Sequence, residues 1–210
     1  MTSSIRRCIR LVKVAPIYAG TKIFGISFLV RRLRNPNPRL TVALLRAFGA
    51  QVGQRTTIKR SLFLDNTYED ADSIGDLSNI RIGNNCYIGD CAYFDLSNQI
   101  IVEDNVVVSG RVSVVTHADC NRSEYIAGKF PRKSQPVRIC SGAWIGFNVT
   151  ILPGSTIGHC SVVAANSLVR GDVEPKALYG GVPAKKIRDL EDAAEELHPC
   201  LARENKTDDK

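Results

Sequence analysis

Every sixth residue from Ile139 onward is aliphatic: Ile139, Ile145, Ile151, Ile157, Val163 and Val169. Two places before each stands a small or aliphatic residue, Val137, Ala143, Val149, Ser155, Ser161 and Ser167. A period of six is neither the 3.6 of a helix nor the two of a strand. It describes three short strands per turn of a coiled sheet, each sending one aliphatic residue inward at the same point of the repeat. The chain is therefore expected to be an all-β solenoid, and breaks in the ladder mark where something other than scaffold must sit.

Followed toward the N-terminus, the same period runs through Val102, Val108 and Val114, through Ile82, Ile88 and Phe94, and faintly through Val52, Ile58 and Leu64. Gly83 and Gly89 follow inward aliphatics, where a tight corner favours glycine. Three interruptions stand out. Asp65 to Ser73 is acidic, Asp95 to Gln99 shifts the register by two, and Thr116 to Pro136 is polar, charged and proline-bearing. The last cannot fill the inward column and is expected to protrude as a loop of the kind that carries function. Three regions result: a basic helical or irregular segment at 1–49, a solenoid at 50–183 with its loop at 116–136, and a helix with tail at 184–210. The stretch Gly171 to Pro183 reads as a connector, and Ala184 to about Leu197 has helical composition.

The net charge of +7 conceals a split, since residues 1–64 hold thirteen Lys and Arg and no Asp or Glu. The apolar run Val14 to Val30 is broken by Pro16, Gly20, Lys22 and Gly25, which argues against a membrane span. It lacks a clear cleavage site for a secretory signal. Such a segment suits either an anionic membrane surface or the acidic group Asp189, Glu191, Asp192, Glu195 and Glu196 of the same chain, and the second is preferred. The seven cysteines, at 8, 86, 91, 120, 140, 160 and 200, are scattered singly and read as free thiols. His117, His159 and His198 share no spacing suited to a metal.

The segments Thr116-His117-Ala118-Asp119, Ala143-Trp144-Ile145-Gly146, Ile151-Leu152-Pro153-Gly154 and Gly180-Gly181-Val182-Pro183-Ala184-Lys185 resemble the hexapeptide-repeat acyltransferases. Within that family the likeness is to the branch of maltose, galactoside and polysaccharide O-acetyltransferases, over about residues 74–190. The resemblance implies a left-handed parallel β-helix, a homotrimer with its sites between subunits, and acetyl-CoA as acyl donor. No metal and no nucleic acid are expected. A cytoplasmic location follows, peripheral to the inner face of the membrane if the basic segment binds lipid. The expected activity is acetylation of a sugar hydroxyl, on a polysaccharide or its lipid-linked precursor. Alternatives are another small acceptor, such as an amino sugar, amino acid or antibiotic, and a non-enzymatic β-helix scaffold.

Transfer to a hydroxyl needs a base near neutral pH, and histidine is the natural choice. His117 stands where the ladder ends and the loop begins, and it matches the family's base. Asp95, following inward-facing Phe94, should point out of the coil. It occupies the place of a sugar-binding asparagine in the family, so it is expected either to meet a sugar hydroxyl or to orient His117. Asp119 is a weaker acceptor contact. By the resemblance, the Phe147 backbone N–H serves the oxyanion, and Trp144 borders the cleft. Ala164 and Ala165 offer a bare surface for the pantetheine arm, while Lys185, Arg188 and additionally Arg170 meet phosphates.

Overall fold

In the computed structural model of the protein, residues 3–34, 38–68, 72–120 and 122–190 are described. The ladder forms three flat sheets stacked as the faces of a triangular coil. The first face holds Gln51–Val52, Ile80–Ile82, Ile100–Val102, Val137–Ile139 and Thr156–Ile157 in parallel. The second holds Thr57–Ile58, Tyr87–Ile88, Val107–Val108, Trp144–Ile145 and Val162–Val163. The third holds Phe63–Asp65, Tyr93–Asp95, Ser113–Val114, Thr150–Ile151 and Leu168–Val169. The aliphatic ladder is buried throughout and forms one continuous core. The smaller column beside it closes the turns. Ser161 and Ser167, buried, donate from Oγ to Gly158 O at 2.6 Å and Ala164 O at 2.7 Å.

The corners follow a rule that the sequence only hinted at. A residue of left-handed backbone stands three places after an inward aliphatic, as at Asn85, Asn105, Asn148 and Asn166. Asparagine tolerates that conformation better than most side chains. Gly83 and Gly89 do not adopt it. Their role is close approach between coils, because a Cβ would lie 2.7 Å from Glu103 C and 2.5 Å from Gly110 N respectively.

Register partners along the uninterrupted coil lie 18 residues apart, as Ile139 with Ile157. Val52 pairs with Ile82, Ile82 with Val102, and Val102 with Ile139, separations of 30, 20 and 37 residues. Along each turn the inward residues stay six apart, so all the excess falls between the third face and the next first face. Segments 66–79, 96–99 and 115–136 therefore leave the coil at one edge in three successive turns. This stacking positions the site.

The basic N-terminus forms α1 (Ser3–Phe24), α2 (Ile26–Arg34) and α3 (Pro38–Ala47). From α2, Leu29, Val30 and Leu33 enter the same core as the first coil, joined by Leu44 and Leu45 of α3. The Arg46 guanidinium donates to Val52 O and Gly53 O, both at 2.8 Å. The helices thus cap the open end of the solenoid, whose last exposed ring of aliphatics would otherwise meet water. This corrects the preferred partner of the basic segment: its described residues pack on the first coil. Asp189, at the far end, bonds Lys186. Glu191, Asp192, Glu195 and Glu196 lie outside the described residues.

The C-terminal expectation also changes. Ala177–Gly181 is a strand parallel to Val162–Val163, and Val173 bridges Ile157, so the supposed connector continues the coil. Ala184–Asp189 is a strand antiparallel to it, not the start of a helix. The turn at Gly181-Val182-Pro183 lays this segment along an otherwise open sheet edge, and ladder hydrogen bonds override its helical composition. Residues 191–210 lie outside the described residues, so the rest of the expected helix and tail lies there too.

Candidate active site

The three excursions converge on one carboxylate. Asp95 ends the strand Tyr93–Asp95, outward of the Phe94 that enters the core, yet it is 0% exposed. It is covered because Asn66 of the preceding coil and Thr116–His117 of the next close over the same corner. Its Oδ1 accepts hydrogen bonds from Asn66 Nδ2 at 2.8 Å and Ser97 N at 3.2 Å. Its Oδ2 accepts from Thr116 N at 2.7 Å, His117 N at 2.9 Å and His117 Nδ1 at 2.7 Å. Burial by itself would raise the Asp95 pKa, but donation from Asn66, His117, Thr116 and Ser97 outweighs it and pulls the value down to about 2.

The ionised carboxylate fixes the tautomer of His117. Oδ2 can only accept, so Nδ1 carries the hydrogen and Nε2 keeps its lone pair. Asn66 Nδ2 lies 3.5 Å from His117 Nδ1. Both are donors in this arrangement, and the contact reflects their shared approach to Asp95. The imidazole side chain is 24% exposed, so it opens to solvent at the corner where Asp95 does not.

The excursion at 116–136 is more ordered than a plain loop. His117–Ala118 pairs antiparallel with Lys133–Ser134, and α4 (Glu124–Lys129) lies between them. Arg132 ties it to the first excursion, with Nη2 2.8 Å from Asp72 Oδ2 and Nη1 3.0 Å from Asp119 Oδ2. Asn98 Nδ2 donates to Ser134 Oγ at 3.1 Å, joining the second excursion to the third. Asp119 thus sits in an ion pair beside the site.

The other expected residues lie elsewhere on the coil. Trp144 is exposed on the second face, with Nε1 3.2 Å from Ser109 Oγ. Phe147 is exposed at the corner between the second and third faces, its ring under the Arg111 guanidinium at 5.6 Å. About one sheet width, roughly six residues or 20 Å, separates that corner from His117 in the same chain. Ala165 and Arg170 are exposed, and Ala164 is partly covered by the Ala177–Gly181 strand. Lys186 pairs with Glu174 and Asp189, whereas Lys185 and Arg188 hold no ion pair among the described residues.

Sequence reasoning missed Asn66 and Arg132. Asn66 was recoverable in principle, because Asp65 and Asp95 share a register position once the 30-residue spacing is known. Nothing local marks Arg132. His159 is exposed at a corner, and His198 lies outside the described residues. Among the described residues no group of His, Cys, Asp and Glu is arranged to hold a metal.

Residues 136–171 match the bacterial transferase hexapeptide family, six repeats. The chain is 36% identical to the galactoside O-acetyltransferase of Escherichia coli K12 over 120 residues, 55% of this chain and 56% of that protein. It is 34% identical over 107 residues to a putative acetyltransferase of Schizosaccharomyces pombe, covering 51% of this chain and 48% of the relative. The chain spans about half the length of the curated relatives it matches. Among solved structures, a galactoside acetyltransferase in complex with coenzyme A shares the fold at TM-score 0.68 and 25% identity, over 85% of this chain and 84% of that one. A hexapeptide-repeat acetyltransferase of Vibrio cholerae complexed with acetyl coenzyme A superposes at TM-score 0.64 and 24% identity, over 90% and 91%. The coil is thus the left-handed parallel β-helix of hexapeptide-repeat proteins.

Proposed function

We propose that this hexapeptide-repeat chain is an acetyl-CoA-dependent O-acetyltransferase acting on a sugar hydroxyl, of a polysaccharide or its lipid-linked precursor. The observation that carries the reading is the buried Asp95 carboxylate 2.7 Å from His117 Nδ1, which leaves Nε2 as a base at an open corner. The similarity to galactoside O-acetyltransferase supports the reaction class.

His117 Nε2 takes the proton of the acceptor hydroxyl as its oxygen attacks, and the resulting imidazolium is held by Asp95. That proton is then available to the leaving thiolate. Acetyl-CoA, when bound, supplies the activated thioester. The late coils fit such a donor. A Cβ on Gly180 would lie 3.2 Å from Ala164 Cβ, so small residues there keep the surface flat beside exposed Ala165. Lys185, Arg188 and Arg170 supply cations for the phosphates. Trp144 borders the cleft, and Asp119 meets the acceptor.

Phe147 serves through its backbone N–H as an oxyanion donor, and its distance from His117 makes that a contact between two copies. The homotrimer is therefore part of this reading: Phe147 of one copy completes the corner of another. The protein works in the cytoplasm, where its acyl donor is made.

The test is thiol release from acetyl-CoA in the presence of an acceptor panel. Neutral sugars, nucleotide-linked sugars and lipid-linked glycans are expected to support turnover. Turnover confined to amino sugars, amino acids or aminoglycosides would overturn the O-acetyl assignment, and none with any acceptor would overturn the reaction class.

A further inference from the structure

The helical cap carries an apolar elbow that no described residue covers. Where α1 meets α2 at Gly25 (φ +79), Ile23 is 73% exposed and Phe24 67% exposed. The Phe24 ring lies 5.8 Å from that of Phe28, so the apolar residues form one tip. Cations flank it along the chain: Lys22 precedes it, and Arg31, Arg32 and Arg34 stand exposed on α2, whose other side buries Leu29, Val30 and Leu33 and whose Arg34 lies 6.0 Å from the Phe63 ring. No acidic residue occurs anywhere in residues 1–64.

We propose that this elbow docks on an anionic phospholipid surface, with Ile23 and Phe24 entering the headgroup–acyl boundary and Arg31 and Arg32 meeting phosphodiesters. An apolar tip beside a helix face of exposed cations matches both layers of such a surface at once. A nucleic acid would use the cations but offers nothing to Ile23. A second copy would bring its own four cations to the same place, and like charges oppose that contact. No helix among the described residues is long and apolar enough to cross a membrane, so the contact is peripheral. The inference stands independently of the acetyl-transfer reading, although it would bring a lipid-linked acceptor to the enzyme.

Sedimentation of the full chain with phosphatidylcholine vesicles, with and without phosphatidylglycerol, tests it. Binding is expected only to the anionic vesicles and weakens with salt. The double variants I23S/F24S and R31Q/R32Q each reduce partitioning roughly tenfold or more. Phe24→Trp shifts its emission to the blue on vesicle binding. Failure to sediment with anionic vesicles overturns the proposal, as does wild-type partitioning by either double variant. Wild-type partitioning by I23S/F24S, abolished by a soluble polyanion, would mean electrostatic adhesion alone. All these substitutions are at exposed or partly exposed positions, and an unchanged far-UV spectrum and melting curve verifies that the fold survives.

Discussion

A carboxylate held by five donors behaves differently from a corner aspartate in water. Asp95 is held at a pKa of about 2, below the ~3.9 of an unfolded aspartate. Its ionised form stabilises the fold above about pH 4, and that contribution, on the order of 2 kcal/mol, is lost as the pH falls toward about 2. Asp95→Asn should therefore flatten the acid limb of a stability profile measured by urea unfolding between about pH 5 and pH 2.5. Full retention of that limb would remove Asp95 from the account. The same substitution should lower kcat by about 10²–10⁴, because an amide no longer imposes the tautomer that frees Nε2. His117 was legible in the sequence because a motif and a break in the ladder coincide there. The burial of Asp95 was not, since it depends on Asn66, a partner 29 positions away across an interruption of unknown length.

At the scale of elements, what distinguishes this coil is that its three excursions share a corner. Asp65–Asp95 and Phe94–Val114 register fixes the base of each, Arg132 fastens the first to the third, and Asn98 joins the second to the third. Arg132→Ala is expected to speed hydrogen exchange in both 72–79 and 122–134 and to raise KM for the acceptor several-fold. Donor affinity should stay unchanged; equal loss of donor binding would mean general unfolding of the corner instead. The coil itself leaves less room. A Cβ at position 146 would lie 2.6 Å from Ala165 N, so Gly146→Ala should lower stability by about 1–3 kcal/mol in thermal or urea unfolding. The six-residue period announced the faces and even the inward residue of each strand. It could not announce that the excess residues stack, because each interruption alone shows only a slipped register. The strand at Ala184–Asp189 was hidden for a related reason: its composition favours a helix, and only the unpaired edge of Ala177–Gly181 decides otherwise.

For the molecule as a whole, the helices at one end and the hairpin at the other close a solenoid that would otherwise expose its core. Leu29 and Leu45 are buried in the same cluster as Ile58 and Ile88. Leu45→Ala should cost about 2–5 kcal/mol in a single cooperative transition shared with the coil. A separate low-temperature transition would mean that the cap is an independent unit. In the proposed reaction the base sits where the repeat is interrupted, while the uninterrupted coils carry the oxyanion donor and the acyl donor's surface. That division makes the central claim testable in one protein, His117→Ala, by measuring acetyl transfer and coenzyme A binding together. Transfer should fall at least 10²–10⁴-fold while coenzyme A binds as in the wild type. Wild-type transfer by that variant would contradict the assignment of His117 as the base.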